Sequence, residues 1–273
     1  MKNTFLRSIC LAVTVSLCSV VCIYALSLAK TSPEVVYRGQ TKEEAFDFVM
    51  RLINKLPWLN EGGYDVSLPP HKAFECLYQN PELLEKKDIN SLRDLFYEEI
   101  YDASKFNTSL ETARQTEELV KKALQKLAAL ETNWGFKIKQ RYDIILTLYG
   151  PGGSYDPWID KVGIIKIKTS VGSSLRSKEL YAKTIVHEMV HIGIEEDIIQ
   201  KYHLSDREKE RLVDLICSLY LKDLLPWYEN QNNADKTVDN FINEEVIVEN
   251  LPAAIEAFIA QHPRDNSGLN KIS

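Results

Sequence analysis

The chain has 273 residues, with 33 Lys and Arg against 39 Asp and Glu, for a formal net charge of −6. The two signs are interspersed and form no basic stripe, which leaves a nucleic-acid-binding role without support. The 5 cysteines include no C-x-x-C pair, which argues against a cysteine-based metal site, and there is no internal repeat or low-complexity tract.

At the N-terminus Lys2 and Arg7 precede an uncharged apolar run from Ile9 to Ala29. A run of this length can cross a bilayer. It reads as an uncleaved anchor or as a signal peptide, because Ala25-Leu26-Ser27 and Ser27-Leu28-Ala29 both resemble a small-residue cleavage site. Its length favours the anchor. Either way, positive charge ahead of the segment keeps the N-terminus cytoplasmic and sends the rest of the chain outward. Residues 1–29 are therefore expected to target the chain to the membrane. Residues 30–133 are expected to form a helical region and residues 134–273 a region that carries the chemistry. The catalytic part is expected on the periplasmic or extracellular side, exported or anchored.

In the helical region Thr41-Lys42-Glu43-Glu44 is a capping box ahead of Ala45, Phe48, Val49, Leu52, Ile53 and Leu56. The Pro- and Gly-rich stretch Leu59 to Pro70 reads as a loop. Asn90 is expected to cap a helix bearing Leu92, Leu95, Phe96 and Ile100. Thr108 to Leu130 reads as one long amphipathic helix with Leu119, Leu124, Leu127 and Leu130 on its apolar side. A cover for the cleft, a docking subdomain and a completion of the core all fit this region. The last is favoured, because a small sheet needs helices packed on it. His71 and His262 read as surface histidines.

The pattern then changes. Phe136 to Tyr149 and Val162 to Thr169 read as strands, separated by the turn-rich Gly150-Pro151-Gly152-Gly153-Ser154. The second strand suits a core position and an edge that pairs with an extended peptide equally well. Helices, then strands, then helices indicate an α+β class, mainly helical with a small sheet.

Lys178 to Val186 reads as a helix with Ser177 as N-cap, and it leads into His187-Glu188-Met189-Val190-His191. This is H-E-x-x-H. Residues i and i+4 share a helix face, so both imidazoles reach one metal ion, while Glu188 projects from the edge of that face toward a metal-bound water. The bland alternative is a buried helix with two satisfied histidines. Ser205 or Asp206 then caps a helix to Leu224 that contains Glu210-Arg211-Leu212-Val213-Asp214, an E-x-x-x-D. Glu210 can supply a third ligand, and Asp214 can accept a hydrogen bond from the free ring nitrogen of a ligating histidine. Glu195, Glu196 and Asp197 are rival third ligands. Gly193 stands one position early for a metzincin, and no methionine follows Met189 to make a methionine turn. Asp235 to Val248 and Pro252 to Gln261 read as helices. Cys76 and Cys217 either pair or leave Cys217 as a buried thiol.

H-E-x-x-H followed by E-x-x-x-D resembles the gluzincin metallopeptidases, the thermolysin-like clan, over roughly residues 162–224. The resemblance implies an α+β fold with an antiparallel or mixed sheet packed on a zinc-binding helix pair. It implies one zinc per chain on His187, His191 and Glu210, with Glu188 as general base and Asp214 supporting a zinc histidine. It further implies an oxyanion donor in the linker between the helices, where Tyr202 and His203 stand. Two features depart from the clan. Lys209 stands where an Asn is common, and the G-x-M-E-N motif of the aminopeptidase branch is absent. The expected activity is zinc-dependent hydrolysis of peptide or protein substrates, by an endopeptidase rather than an exopeptidase. The alternatives are an inactive binding module of the same fold and a zinc amide hydrolase acting on cell-wall material.

Overall fold

A computed structural model describes residues 32–231 and 234–263, so the apolar run Ile9 to Ala29 lies outside the described residues. Among the described residues no helix is long and apolar enough to cross a membrane. The sheet starts inside the region expected to be helical. Strand β1 (Glu34–Gly39) lies parallel to β2 (Arg141–Thr147), with Tyr37 opposite Ile144. Next to β2 runs β4 (Val162–Lys168), also parallel, and beyond it the antiparallel β3 (Gly153–Asp156), giving the order β1-β2-β4-β3. The fold is thus α+β with a small mixed sheet. Strand β4 is interior, and the edge is β3, drawn from the end of the stretch expected to be a turn. A separate two-stranded ribbon, β5 (Ser170–Val171) and β6 (Ser174–Leu175), comes next in the chain.

Alternation along the strands divides the core in two. Tyr142, Ile144 and Leu146 of β2 and Ile165 and Ile167 of β4 join one buried cluster with Ile185, Val186 and Met189, which lie ahead of and within the histidine motif. A second cluster gathers helix α1 (Lys42–Glu61), α2 (Lys72–Gln79) and α3 (Ile89–Leu95) around Phe46, Val49, Ile53, Phe74 and Phe96. The expected capping box forms: Glu44 N–H donates to Thr41 Oγ1 at 3.2 Å, and Thr41 N–H donates to the Glu44 carboxylate at 2.9 Å. Arg38 at the end of β1 grips the same carboxylate through two hydrogen bonds at 2.5 and 2.7 Å. Helix α1 runs through Pro57 to Glu61, further than the expected loop allowed. Asp88, not Asn90, caps α3, and His71 caps α2 by accepting from Ala73 N–H.

The long helix expected over Thr108 to Leu130 is two helices, α4 (Asn107–Arg114) and α5 (Glu117–Trp134). The break falls at Thr116, whose buried hydroxyl donates to Ala113 O at 2.7 Å and is paired with Tyr37 Oη at 3.2 Å. A threonine that bonds a nearby carbonyl competes with helical continuation. Gly135, at φ +93°, then ends α5 in the left-handed conformation that favours glycine.

Phe136 comes directly after it and packs on helix α6 (Lys178–Ile194) at Gly193, where a Cβ would lie 2.0 Å from Phe136 Cζ. Alanine gains about 1 kcal/mol of helix propensity over glycine. An overlap this deep forces a core shift that costs about 1–3 kcal/mol. Gly193→Ala is therefore expected to lower stability in urea denaturation, and to lower it less in a Phe136→Leu background, where the ring edge is gone.

Candidate metal centre

Helix α6 is capped by Ser177, which accepts from Leu180 N–H, and from Ile185 to Ile194 every residue is buried. A helix apolar on all sides belongs in the interior, so polar groups at His187, Glu188 and His191 need partners there. Helix α7 (Asp206–Leu215) supplies them. Ser205 and Glu208 form its capping box, and a widened turn over Ile216–Tyr220 extends it.

His187 Nε2 and His191 Nε2 are 3.0 Å apart, and Glu210 Oε2 lies 3.2 Å from the first and 3.3 Å from the second. A tetrahedral zinc with bonds of 2.0–2.1 Å separates its ligands by about 3.3 Å. The three atoms therefore have the spacing of a ligand set. The hydrogen bonds behind them give the same answer. Tyr228 Oη donates to Asp214 Oδ1 at 2.7 Å, so its oxygen is free to accept from His187 Nδ1–H, also at 2.7 Å. When His187 is neutral, that pairing turns its Nε2 lone pair toward Glu210 and His191; when it is protonated, Nε2–H donates to Glu210. A positive charge at the centre resolves the convergence. The fit to a divalent cation is good, and His187, His191 and Glu210 are the residues that could hold it.

The acid–base balance of the cluster agrees. Burial raises the pKa of Glu210, but the two histidines outweigh it and hold the carboxyl well below the usual range. Burial pushes His191 down to about 4, against the pull of Glu210. Burial also disfavours charge on His187, yet Cys217, Glu210 and Glu188 outweigh it and raise its pKa. The triad thus attracts a single positive charge. Glu188 is pushed up to about 7, first by burial and then by the charge of Glu210, with His187 acting in the opposite sense.

Asp214 does not touch His187 directly: its Oδ1 is 4.0 Å from Nδ1, and the Tyr228 hydroxyl stands between them. His191 Nδ1 is buried with no hydrogen-bond partner, and its ring is instead stacked on Tyr155 of β3, with centroids 4.7 Å apart and planes 8° from parallel. Gln231 completes the inner wall. Its Nε2 lies 2.6 Å from Glu210 Oε2 and 3.3 Å from His187 Nε2, and its backbone N–H donates to Asp214 Oδ2 at 2.7 Å.

The triad opens into a cavity of about 640 Å³. Trp58 and Tyr64, stacked on each other, line it on one side, and Gly153 and Tyr155 on another. A Cβ on Gly153 would lie 2.3 Å from Glu188 Oε1, so the edge strand passes directly over that carboxyl. Arg176 fixes the approach to this strand. Its guanidinium donates to Lys168 O, Gly152 O and Thr184 Oγ1 at 2.8, 2.9 and 2.8 Å.

The other expected residues lie elsewhere. Tyr202 Oη donates to Glu256 on helix α9 (Leu251–Gln261), which comes after the short α8 (Glu244–Glu249). His203 is exposed in a turn at φ +51°, and neither residue lines the cavity. The linker reaches the cavity through Glu195 and Gln200 and turns away before Tyr202 and His203, so neither stands where an oxyanion donor is expected. Among the rival ligands, Glu195 accepts from Tyr155 Oη and Gln200 at 2.7 and 2.6 Å, and Asp197 pairs with Lys137 at 2.8 Å. Glu196 is exposed. Lys209, in place of the clan's Asn, bonds Asp206 and stands 3.9 Å from Glu210 Oε1. Cys76 and Cys217 are free thiols, the latter buried against His187 and Tyr228. Sequence reasoning missed Tyr155, Arg176, Tyr228 and Gln231. Tyr228 and Gln231 lie past the last helical turn with no periodicity to mark them.

No protein-family model matches the chain, and neither a curated protein nor a solved structure matches it.

Support behind a ligating histidine typically contributes 10–100-fold to metal affinity. Tyr228→Phe keeps the ring and removes the bridge from Asp214 to His187. Zinc affinity, read by competition with a chelating dye, is expected to fall by at least about tenfold, and the metal-free protein is expected to unfold at a lower temperature, because buried Asp214 Oδ1 loses its donor.

Proposed function

We propose that this chain is a zinc-dependent hydrolase of peptide bonds, an endopeptidase resembling the gluzincins, with one zinc on His187, His191 and Glu210. The observation that carries the reading is the meeting of this donor triad with a buried carboxyl, Glu188, directly under a sheet edge. Zinc bound there supplies Lewis acidity and brings the pKa of a water close to neutral. Glu188 takes the proton of the attacking water and passes it to the leaving amine. With no cation at the triad, burial raises this carboxyl to about 7, so it takes a proton more readily than a free carboxylate.

Substrate binding rests on β3. Its outer side is the free edge of the sheet, and an extended peptide adds to such an edge through main-chain hydrogen bonds. Gly153 lets that peptide approach Glu188 without a side chain between them. Trp58 and Trp158, 51% and 68% exposed, offer apolar surface on the cavity walls. Arg176 holds the start of the strand in place through Gly152 O. We place this activity outside the cytoplasmic membrane, on the strength of Lys2 and Arg7 ahead of the run Ile9 to Ala29. Cell fractionation that leaves the protein in the soluble cytoplasm would remove that placement.

Elemental analysis of the purified protein is expected to find one zinc per chain, and Glu210→Ala to lose it. Glu188→Gln is expected to keep full zinc and to lose turnover of a peptide library. Wild-type protein that holds no zinc after exposure to the metal refutes the reading. Zinc without cleavage of any peptide, in wild type as in Glu188→Gln, turns it into a binding module. Gly153→Ala tests the edge separately: the displaced Glu188 is expected to lower kcat with zinc content unchanged.

A further inference from the structure

We propose that Gln231 is a fourth ligand of this centre, its carboxamide oxygen holding the position that water must take during hydrolysis. The inference rests on the reading of His187, His191 and Glu210 as a zinc site, and it adds a residue that closes the site at rest.

The end group of Gln231 stands beside the ligand set. Its Nε2 donates to Glu210 Oε2 at 2.6 Å and lies 3.3 Å from His187 Nε2, which brings the carboxamide to the rim of a set whose three atoms are 3.0–3.3 Å apart. A carboxamide has an oxygen and a nitrogen of nearly equal size, and a half-turn about its last bond exchanges them. Toward a cation inside the triad the oxygen is the end that faces inward, because the NH2 has no lone pair to give.

The placement is built in. Asp214 is fully buried, and its two oxygens are both taken: Oδ1 by the Tyr228 hydroxyl and Oδ2 by the Gln231 backbone N–H. One carboxylate therefore pins both ends of the segment from Tyr228 to Gln231 across the ligand helices. With the backbone held, Gln231 enters or leaves the centre by side-chain torsions alone. A neutral amide is a weaker ligand than a carboxylate and is chemically the same group as a peptide bond. An incoming peptide can displace it and so free that position for the attacking water. Gln231 thus keeps bulk water off the metal until substrate arrives.

Two readouts test this without activity. The full chain is loaded with Mn2+, and the relaxation of water protons reports water bound to the metal. Zinc affinity is measured by chelator competition. Wild type is expected to show little bound water. Gln231→Ala is expected to raise the relaxation enhancement several-fold and to weaken zinc by at least about tenfold. Gln231→Glu, which retains an oxygen at the same reach, is expected to stay dry and to bind zinc at least as tightly as wild type.

Equal relaxation and affinity in wild type and Gln231→Ala would overturn the proposal while leaving the zinc site standing. Loss of zinc in Gln231→Glu would also overturn it, because a second carboxylate fails only if residue 231 serves Glu210 as a hydrogen-bond donor. That arm decides the matter even if the alanine variant does not fold. Wild type that binds neither Mn2+ nor zinc would sink both the proposal and the function it rests on.

Discussion

Asp214 is a carboxylate with no solvent exposure, and the centre is arranged around the need to satisfy it. An unpaired charge in such a place costs several kcal/mol or shifts its pKa until it is neutral. Here two donors meet it, one a hydroxyl and one a backbone amide. Each ties it to a separate part of the site. The hydroxyl of Tyr228 carries the requirement through to His187 Nδ1 and fixes which ring nitrogen faces the cavity. The amide of Gln231 brings the segment after α7 back over the ligands. Asp214 thus sets a tautomer and a chain path at once, although it touches no ligand.

The two histidines are held by different physics. His187 is oriented by a chain of hydrogen bonds that ends on a charge. His191 has no partner on Nδ1 and is oriented by stacking on Tyr155, whose own hydroxyl is anchored on Glu195. The second arrangement joins the ligand to the sheet, because Tyr155 sits on edge strand β3 opposite Ile165. The edge strand is therefore joined to the triad through His191 and lies over Glu188 at Gly153. Displacing β3 would disturb His191 and Glu188 together, so the sheet edge is coupled to the triad and to that carboxyl through two contacts.

The parts of the site legible in the sequence are those set by local geometry. H-E-x-x-H and E-x-x-x-D each place two side chains on one helix face, whatever surrounds the helix, and the caps at Thr41, Ser177 and Ser205 act within a few residues of themselves. The features that sequence did not reveal depend on partners far along the chain. Strand β1 is a strand because β2, about a hundred residues on, lies beside it. The halt at Thr116 depends partly on Tyr37, paired across the core. Tyr202 had the right chemistry and the right place in the linker, but a linker has no periodicity to fix its direction, and its hydroxyl is bonded to Glu256. Tyr228 had no motif, and only the fold puts it between Asp214 and His187.

The charge balance at the triad explains why such a centre can be assembled inside an apolar helix at all. Of Glu188 and Glu210, only Glu210 is held well below the usual carboxyl range, because it alone faces both imidazoles, while Glu188 rises to about 7 in the same low-polarity setting. Two carboxyls one helix apart are driven in opposite directions by their neighbours, and such a separation assigns different roles to chemically identical groups. Glu210 stays charged and suited to holding a cation. Glu188 takes a proton more readily than a free carboxyl does. Helix α6 supplies the burial that raises Glu188, and the same helix carries the two imidazoles that keep Glu210 ionised. One interior helix thereby sets both properties.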